Sequence, residues 1–214
     1  MRFSLALATF ACSMVSFAQS VDNVQTVPSD VFQIKYAANL NIGDSFVDIT
    51  NSGATTNAAT PEANDPAATS LNLCANLYTF DPAEELIACC TCSVTPNGLQ
   101  SLSVKKSLIS NPLTPAVPTS VVIKIVATVG TCNAAAPGPL AHGLLAWSTT
   151  LHQNSSTAAA SYSVTETAFT QGRLTDAEFD HVTSTCGFIQ SNGSGFGICK
   201  GCAAGGLGAG TSIQ

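Results

Sequence analysis

LNLCANLYTFDPAEELIACCTC, residues 71–92, is the stretch from which the fold is read. Leu71 to Phe80 and Glu85 to Cys92 are apolar runs of strand length, bounded by turn residues. Between them, Asp81-Pro82-Ala83-Glu84 suits a type I turn, with Asp at its first position and Pro at its second. This is a β-hairpin. It sets Cys74 near the level of Cys90 to Cys92, where a cross-strand disulfide is expected.

The same grammar extends in both directions. Upstream, Val31 to Tyr36 alternates, with Phe32, Ile34 and Tyr36 on one side and Gln33 and Lys35 on the other, so a half-buried strand is expected. Gly43-Asp44 turns the chain into a strand over Ser45 to Thr50, which Asn51-Ser52-Gly53 ends. Residues 55–70 lack apolar periodicity and read as a surface loop. Downstream, Pro96-Asn97-Gly98 is a turn into Leu99 to Lys105, and the loop 110–118 carries three prolines. Thr119 to Val129 (TSVVIKIVATV) is the most β-branched run and is expected at the centre of a sheet. Leu144 to Leu151 and Tyr162 to Phe169 complete about eight strands.

One helix is expected, over residues 176–191. Thr175 and Glu178 form a capping box, and Leu174 and Phe179 stand at the positions of a hydrophobic staple. Phe179, Val182, Cys186 and Ile189 share one face, and Asn192-Gly193 supplies the stop. The expected fold is all-β: a two-layer antiparallel β-sandwich of immunoglobulin-like character with one C-terminal helix. The domain would span residues 19–192, followed by a glycine-rich tail over 193–214.

The N-terminus gives an address. Met1 and Arg2 precede an apolar run from Phe3 to Val15, and Ser16-Phe17-Ala18 suits a signal-peptidase cut before Gln19. The run is too short for a bilayer span, which takes ~20 residues. Thr9-Phe10-Ala11 is a poor lipobox for Cys12. Residues 1–18 therefore read as a signal peptide, and the product as secreted, extracellular or periplasmic. Removing Arg2 leaves six basic residues against thirteen acidic ones, from seven and thirteen in the whole chain. That balance excludes the basic stripe of a nucleic-acid binder. Charged residues make up only 9% of the chain, about a third of the usual share, as in exported and adhesive proteins.

Eight cysteines follow the signal: Cys74, Cys89, Cys90, Cys92, Cys132, Cys186, Cys199 and Cys202. In an oxidising compartment they read as four disulfides, whose connectivity the count leaves open. Within that uncertainty, Cys186 is expected to bond Cys199 or Cys202, stapling the tail to the helix across a short glycine-rich loop. The other tail cysteine would reach the CCTC hairpin or Cys132. Two clusters, CCTC (89–92) and CKGC (199–202), also have the spacing of a four-thiolate zinc site, a reading that export disfavours.

Catalytic signals are sparse. His142, His152 and His181 lie far apart, and none belongs to a metal-spaced pair. His181, between Asp180 and Val182, reads as part of a solvated helix face. Asp81, Glu84 and Glu85 read as turn chemistry rather than as a calcium loop. Ser194 in NGSGFG lacks the GxSxG register of a nucleophile elbow and follows a helix where an elbow precedes one. A hydrolase would require His142 or His152 to meet Asp44 or Glu166 in space. Trp147, Tyr162 and Phe169 form either a sugar-binding platform or, in part, core.

NIGDSFVDITNSG (41–53), NLCANLYTFDPAEELIACCTCSVTPNGL (72–99), SLISNPLTPAVPTSVVIKIVAT (107–128) and CGFIQSNGSGFGICKGC (186–202) together resemble an uncharacterised family of exported soil-bacterial proteins. The CCxC hairpin and the GxGxCxxC tail are its most specific marks. The resemblance implies export and adds no site. VDITNSGA is also similar to the strand-and-turn pattern of bacterial immunoglobulin-like surface domains. The expected function is a non-catalytic cell-surface or extracellular-matrix protein, structural or binding, with no cofactor. Its expected partners are cell-wall or environmental polysaccharide, or further copies of itself. A secreted hydrolase and a thiolate metal-binding protein are the alternatives.

Overall fold

The computed structural model describes residues 29–57, 72–154 and 161–202. The signal peptide (1–18), Cys12, most of the loop read over 55–70 and the tail beyond Cys202 lie outside the described residues. Among the described residues, nine strands form two antiparallel sheets. The first runs in the order β4 (Leu86–Val94), β3 (Leu73–Phe80), β6 (Val121–Val129), β1 (Ser29–Ala37) and β9 (Thr170–Gly172). The second runs β5 (Leu99–Ser103), β2 (Phe46–Asn57), β7 (Ala141–Asn154) and β8 (Ser161–Ala168). Helix α1 spans Asp176–Ser191.

The two sheets face one another across a core that includes Val47, Ile49, Leu77, Ile87, Leu102, Ile123, Ile125 and Leu144. A second core lies on the other face of the five-stranded sheet. There Val182, Cys186 and Ile189 of α1 pack with Phe32, Tyr78, Phe80, Cys89 and Val126. The helix thus adds a third layer to the sandwich. Burial on both faces explains why every residue of β3 is buried. It also explains why β6, set between β3 and β1, carries the near-continuous apolar run.

The hairpin forms as its turn residues dictate. The Glu84 amide donates to the Asp81 carbonyl (3.1 Å), and Asp81 Oδ1 accepts from the amides of Ala83 and Glu85. Glu84 then takes φ +66°, the left-handed residue that completes a bulged type I hairpin.

Four local expectations are corrected. Asn51-Ser52-Gly53 does not end β2. Gly53, at φ +79°, takes up a register shift against β7, and the strand continues to Asn57. Asn51 is buried there because its Nδ2 donates to the Val94 carbonyl and its Oδ1 accepts from the Gly53 amide. The strand expected to reach Lys105 stops at Ser103, whose hydroxyl accepts from the Lys106 amide and starts the π-helical turn Val104–Leu108. On β1 the polar side is not solvent-facing. Gln33 is buried and donates to the carbonyls of Asp30 and Leu144, and Lys35 reaches across to the hydroxyl of Thr167 on β8. Last, the capping box at α1 is half formed. Thr175 Oγ1 accepts from the Glu178 amide (3.1 Å), while the Glu178 carboxylate pairs with Lys124 Nζ (2.6 Å).

Candidate functional site

The eight cysteines of the described residues pair, as Cys74–Cys132, Cys89–Cys186, Cys90–Cys199 and Cys92–Cys202. Two expectations fall here. Cys186 is bonded to Cys89, not to Cys199 or Cys202, so the helix is tied to the sheet and not to the tail. Cys74 does not cross to the hairpin cysteines. In the β3–β4 register it stands opposite Ser93, while Cys90 and Cys92 stand opposite Leu77 and Ala75. Side chains alternate faces along a strand, so Cys74 and Cys89 share the helix-side face and Cys90 and Cys92 the inter-sheet face. Both tail cysteines reach the CCTC segment.

The tail meets the free edge of β4 through a single bridge. Gly197 accepts from the Cys89 amide (2.9 Å), and Ile198 forms a parallel bridge to Cys89. Leu113 donates to the Ile87 carbonyl (2.8 Å), so the free edge of β4 is covered from two sides. Gly197 has φ +76°, and a Cβ there would lie 2.7 Å from Ile189, so glycine is what lets the tail cross the helix end.

The hydrolase pairs do not assemble. His142 Nδ1 meets Asp30 Oδ1 at 2.5 Å, and Asp30 Oδ2 accepts from the Gly143 amide, which fixes this pair to the β1–β7 contact. His152 bonds the Thr165 hydroxyl (2.9 Å). Asp44 accepts from the Ser103 hydroxyl and from the amides of Ser45 and Lys105, a structural cap. Glu166 lies opposite Thr149, on the other face of β8 from Ser163, the partner of His152. Asp81 is spent on its turn, and Ser194 bonds Asn192 Oδ1 (2.7 Å). His181 stacks on Phe80 (6.4 Å between centroids), and Lys124 Nζ sits 4.5 Å from the centre of that ring. In the oxidised protein no described group of three or more His, Cys, Asp or Glu residues is placed to hold a metal ion.

The aromatic trio divides. Phe169 is buried in the inter-sheet core. Trp147 and Tyr162 share the opposite, outer face of the four-stranded sheet. Val47, Ile49, Leu144 and Ala146 point inward, so their neighbours Phe46, Asp48, Leu145 and Trp147 point outward. Cross-strand partners share a face, which adds Leu99 beside Thr50, Glu166 beside Thr149, Val164 beside Leu151 and Tyr162 beside Gln153. No described helix or strand packs on this face. Phe46 is 40% exposed, Leu99 60%, Leu145 39%, Tyr162 47% and Val164 62%. Trp147 is half-buried between Asp48 on β2 and Ala168 on β8. Phe46 stands diagonally across from it, within ~8 Å. Gln153, which faces Tyr162, lies six residues along β7 from Trp147, about 20 Å at the rise of a strand. The result is a broad apolar strip, dotted with hydroxyls, carboxylates and an amide. The sequence reading found Trp147 and Tyr162 and missed Phe46, whose signal was its alternation with Val47 and Ile49.

No protein-family model, curated protein or solved structure matches the chain. Among the described residues, no helix is long and apolar enough to cross a membrane.

Proposed function

We propose that the protein is an exported, non-catalytic cell-surface or matrix component. It binds neutral polysaccharide along the outer face of its four-stranded sheet. The observation that carries this reading is the placing of Phe46, Trp147 and Tyr162 on one uncovered face, interleaved with Asp48, Thr50, Thr149 and Gln153. A pyranose ring is itself amphipathic. Its C–H face packs on an aromatic ring while its hydroxyls seek donors and acceptors at the rim. Asp48 and Glu166 on the same face disfavour acidic polymers. A strip rather than a pocket suits an extended chain over a single sugar.

An immunoglobulin-like module released by a signal peptide at 1–18, and held by four disulfides outside the cell, is the frame for this reading. The test is co-sedimentation of the purified protein with insoluble neutral glucans, xylan and chitin. Binding is expected, and Trp147→Ala should weaken it at least ten-fold, ~1.4 kcal/mol, without loss of fold. Absence of binding to every neutral polymer, or undiminished binding by W147A, overturns the proposal.

A further inference from the structure

We infer that Cys90, Cys92, Cys199 and Cys202, once reduced, form a four-thiolate site for one soft divalent cation of the zinc type. This goes beyond the binding face, from which the cysteines are separate. Three observations carry it.

Cys90 and Cys92, two residues apart on β4, project from the same face, and Cys199 and Cys202 lie against them. The tail is held there by backbone bonds that do not depend on sulfur. Gly197 accepts from Cys89 (2.9 Å) and donates to Asn111 (2.8 Å), and Lys200 donates to Ser107 (2.8 Å). Opening the two disulfides therefore leaves the four β-carbons converging.

The Sγ atoms of Cys90 and Cys202, which are not bonded to each other, are 3.7 Å apart. In a tetrahedral site with metal–sulfur bonds of ~2.3 Å, the sulfurs stand ~3.8 Å from one another. One edge of that tetrahedron is already present. The bonded pairs reach the same spacing by side-chain rotation from Cα separations of 5.4 and 4.7 Å.

Reductant reaches this pair of disulfides from solvent, as it reaches Cys74–Cys132. Cys199 and Cys202 are partly exposed along a cleft of about 240 Å³, and Cys132 is exposed on the same cleft, whereas Cys89 and Cys186 are fully buried. Cys89, leaving from the other face of β4, cannot join the cluster. Each disulfide becomes two thiols, taking two electrons from a phosphine, which water converts to its oxide while supplying the two protons, or two electrons and two protons from a dithiol. The cation then displaces up to four protons from the four thiols.

The experiment uses the full chain, reduced under native conditions with tris(carboxyethyl)phosphine, desalted and titrated anaerobically with Co²⁺. The expected result is one equivalent bound, with the charge-transfer and d–d bands of a tetrahedral tetrathiolate. Zn²⁺ should displace it and slow iodoacetamide labelling of these four cysteines at least ten-fold. Cys74→Ser with Cys132→Ser should keep both signals, and Cys90→Ser with Cys199→Ser should lose them. If native reduction leaves the pair closed, the chain is refolded from denaturant with its thiols reduced and Co²⁺ or Zn²⁺ present, and the same Co²⁺ bands and Zn²⁺ protection pattern are expected. In either format, a spectrum lacking tetrathiolate bands overturns the inference. So does protection spread over all eight cysteines, or metal uptake unchanged in C90S/C199S.

Discussion

Cys89 and Cys90 are consecutive residues of β4, and their disulfides leave from opposite faces of the sheet. Cys89 bonds Cys186 in the helix layer, and Cys90 bonds Cys199 on the inter-sheet side. The edge strand is thereby riveted to both layers, and the alternation of side chains along a strand is the whole of the reason. Sequence-adjacent cysteines could not have bonded one partner segment from one side.

The first consequence is a test of connectivity. In Cys186→Ser the free thiol should be Cys89, found by alkylation under native or mildly denaturing conditions and peptide mass. A free thiol at Cys199 or Cys202 would restore the stapled-tail arrangement in place of this one. The Cys89–Cys186 bridge closes 97 residues of sequence separation, so replacing both residues by serine should cost ~4 kcal/mol, read as a fall in denaturant midpoint.

Tyr78 gives a pH dependence with a defined sign. It is fully buried, its hydroxyl donates to the Ala134 carbonyl (2.7 Å), and burial pushes its phenol well above the usual value near 10. The folded state therefore prefers the neutral phenol. Its contribution is complete below the unfolded-state value near 10 and is lost as pH rises beyond it, because the unfolded chain releases the proton first. Urea midpoints should fall above about pH 10, and less steeply in Tyr78→Phe. At neutral pH that variant should be less stable by ~1–2 kcal/mol, having left the Ala134 carbonyl without this donor. An alkaline slope identical in the two proteins would remove Tyr78 from the account.

What was legible in the sequence follows from the range of the forces involved. The helix could be bounded at 176–191 because Thr175, Leu174, Phe179 and Asn192-Gly193 act within a turn of their neighbours. The hairpin was equally local, since Asp81 satisfies the turn amides itself. Cysteine partners were not legible, because the pairing depends on which face of β4 each residue takes once its register with β3 is set. Nor could alternation alone tell the face of β1 that meets the helix from the face that meets β7, as both are buried. The outer strip showed the same ambiguity. Trp147 and Tyr162 were visible as aromatics at strand spacing, but only the pairing of β7 with β2 and β8 puts them on one side with Phe46.

Thr79 tests the inter-sheet face from another direction. Its residue is fully buried, and its hydroxyl has no hydrogen-bond partner among the described residues. A buried hydroxyl without a partner costs ~1–3 kcal/mol against an apolar group of the same shape. Thr79→Val should therefore stabilise the protein by ~1 kcal/mol, raising the thermal midpoint by a few degrees. A variant less stable than the parent would mean that the hydroxyl is satisfied in solution.

The start of α1 allows a sharper experiment, because the sequence pattern and the observed contacts imply different couplings. A reciprocal capping box would join the side chains of Thr175 and Glu178 through shared amides. Here Thr175 accepts from the Glu178 backbone, while the Glu178 carboxylate turns to Lys124 on β6 and links helix to sheet. Thr175→Ala should cost ~1 kcal/mol by removing the cap. Glu178→Gln leaves that amide in place, so its effect should add to that of Thr175→Ala within ~0.5 kcal/mol. The pair Glu178 and Lys124 is about a quarter exposed, with side-chain exposures of 27% and 22%, so its coupling should be only ~0.5–1 kcal/mol and should shrink in high salt. Two double-mutant cycles, one through T175A with E178Q and one through K124M with E178Q, read these terms from urea midpoints. Coupling in the first cycle and none in the second would mean that the reciprocal box forms in solution and the ion pair does not.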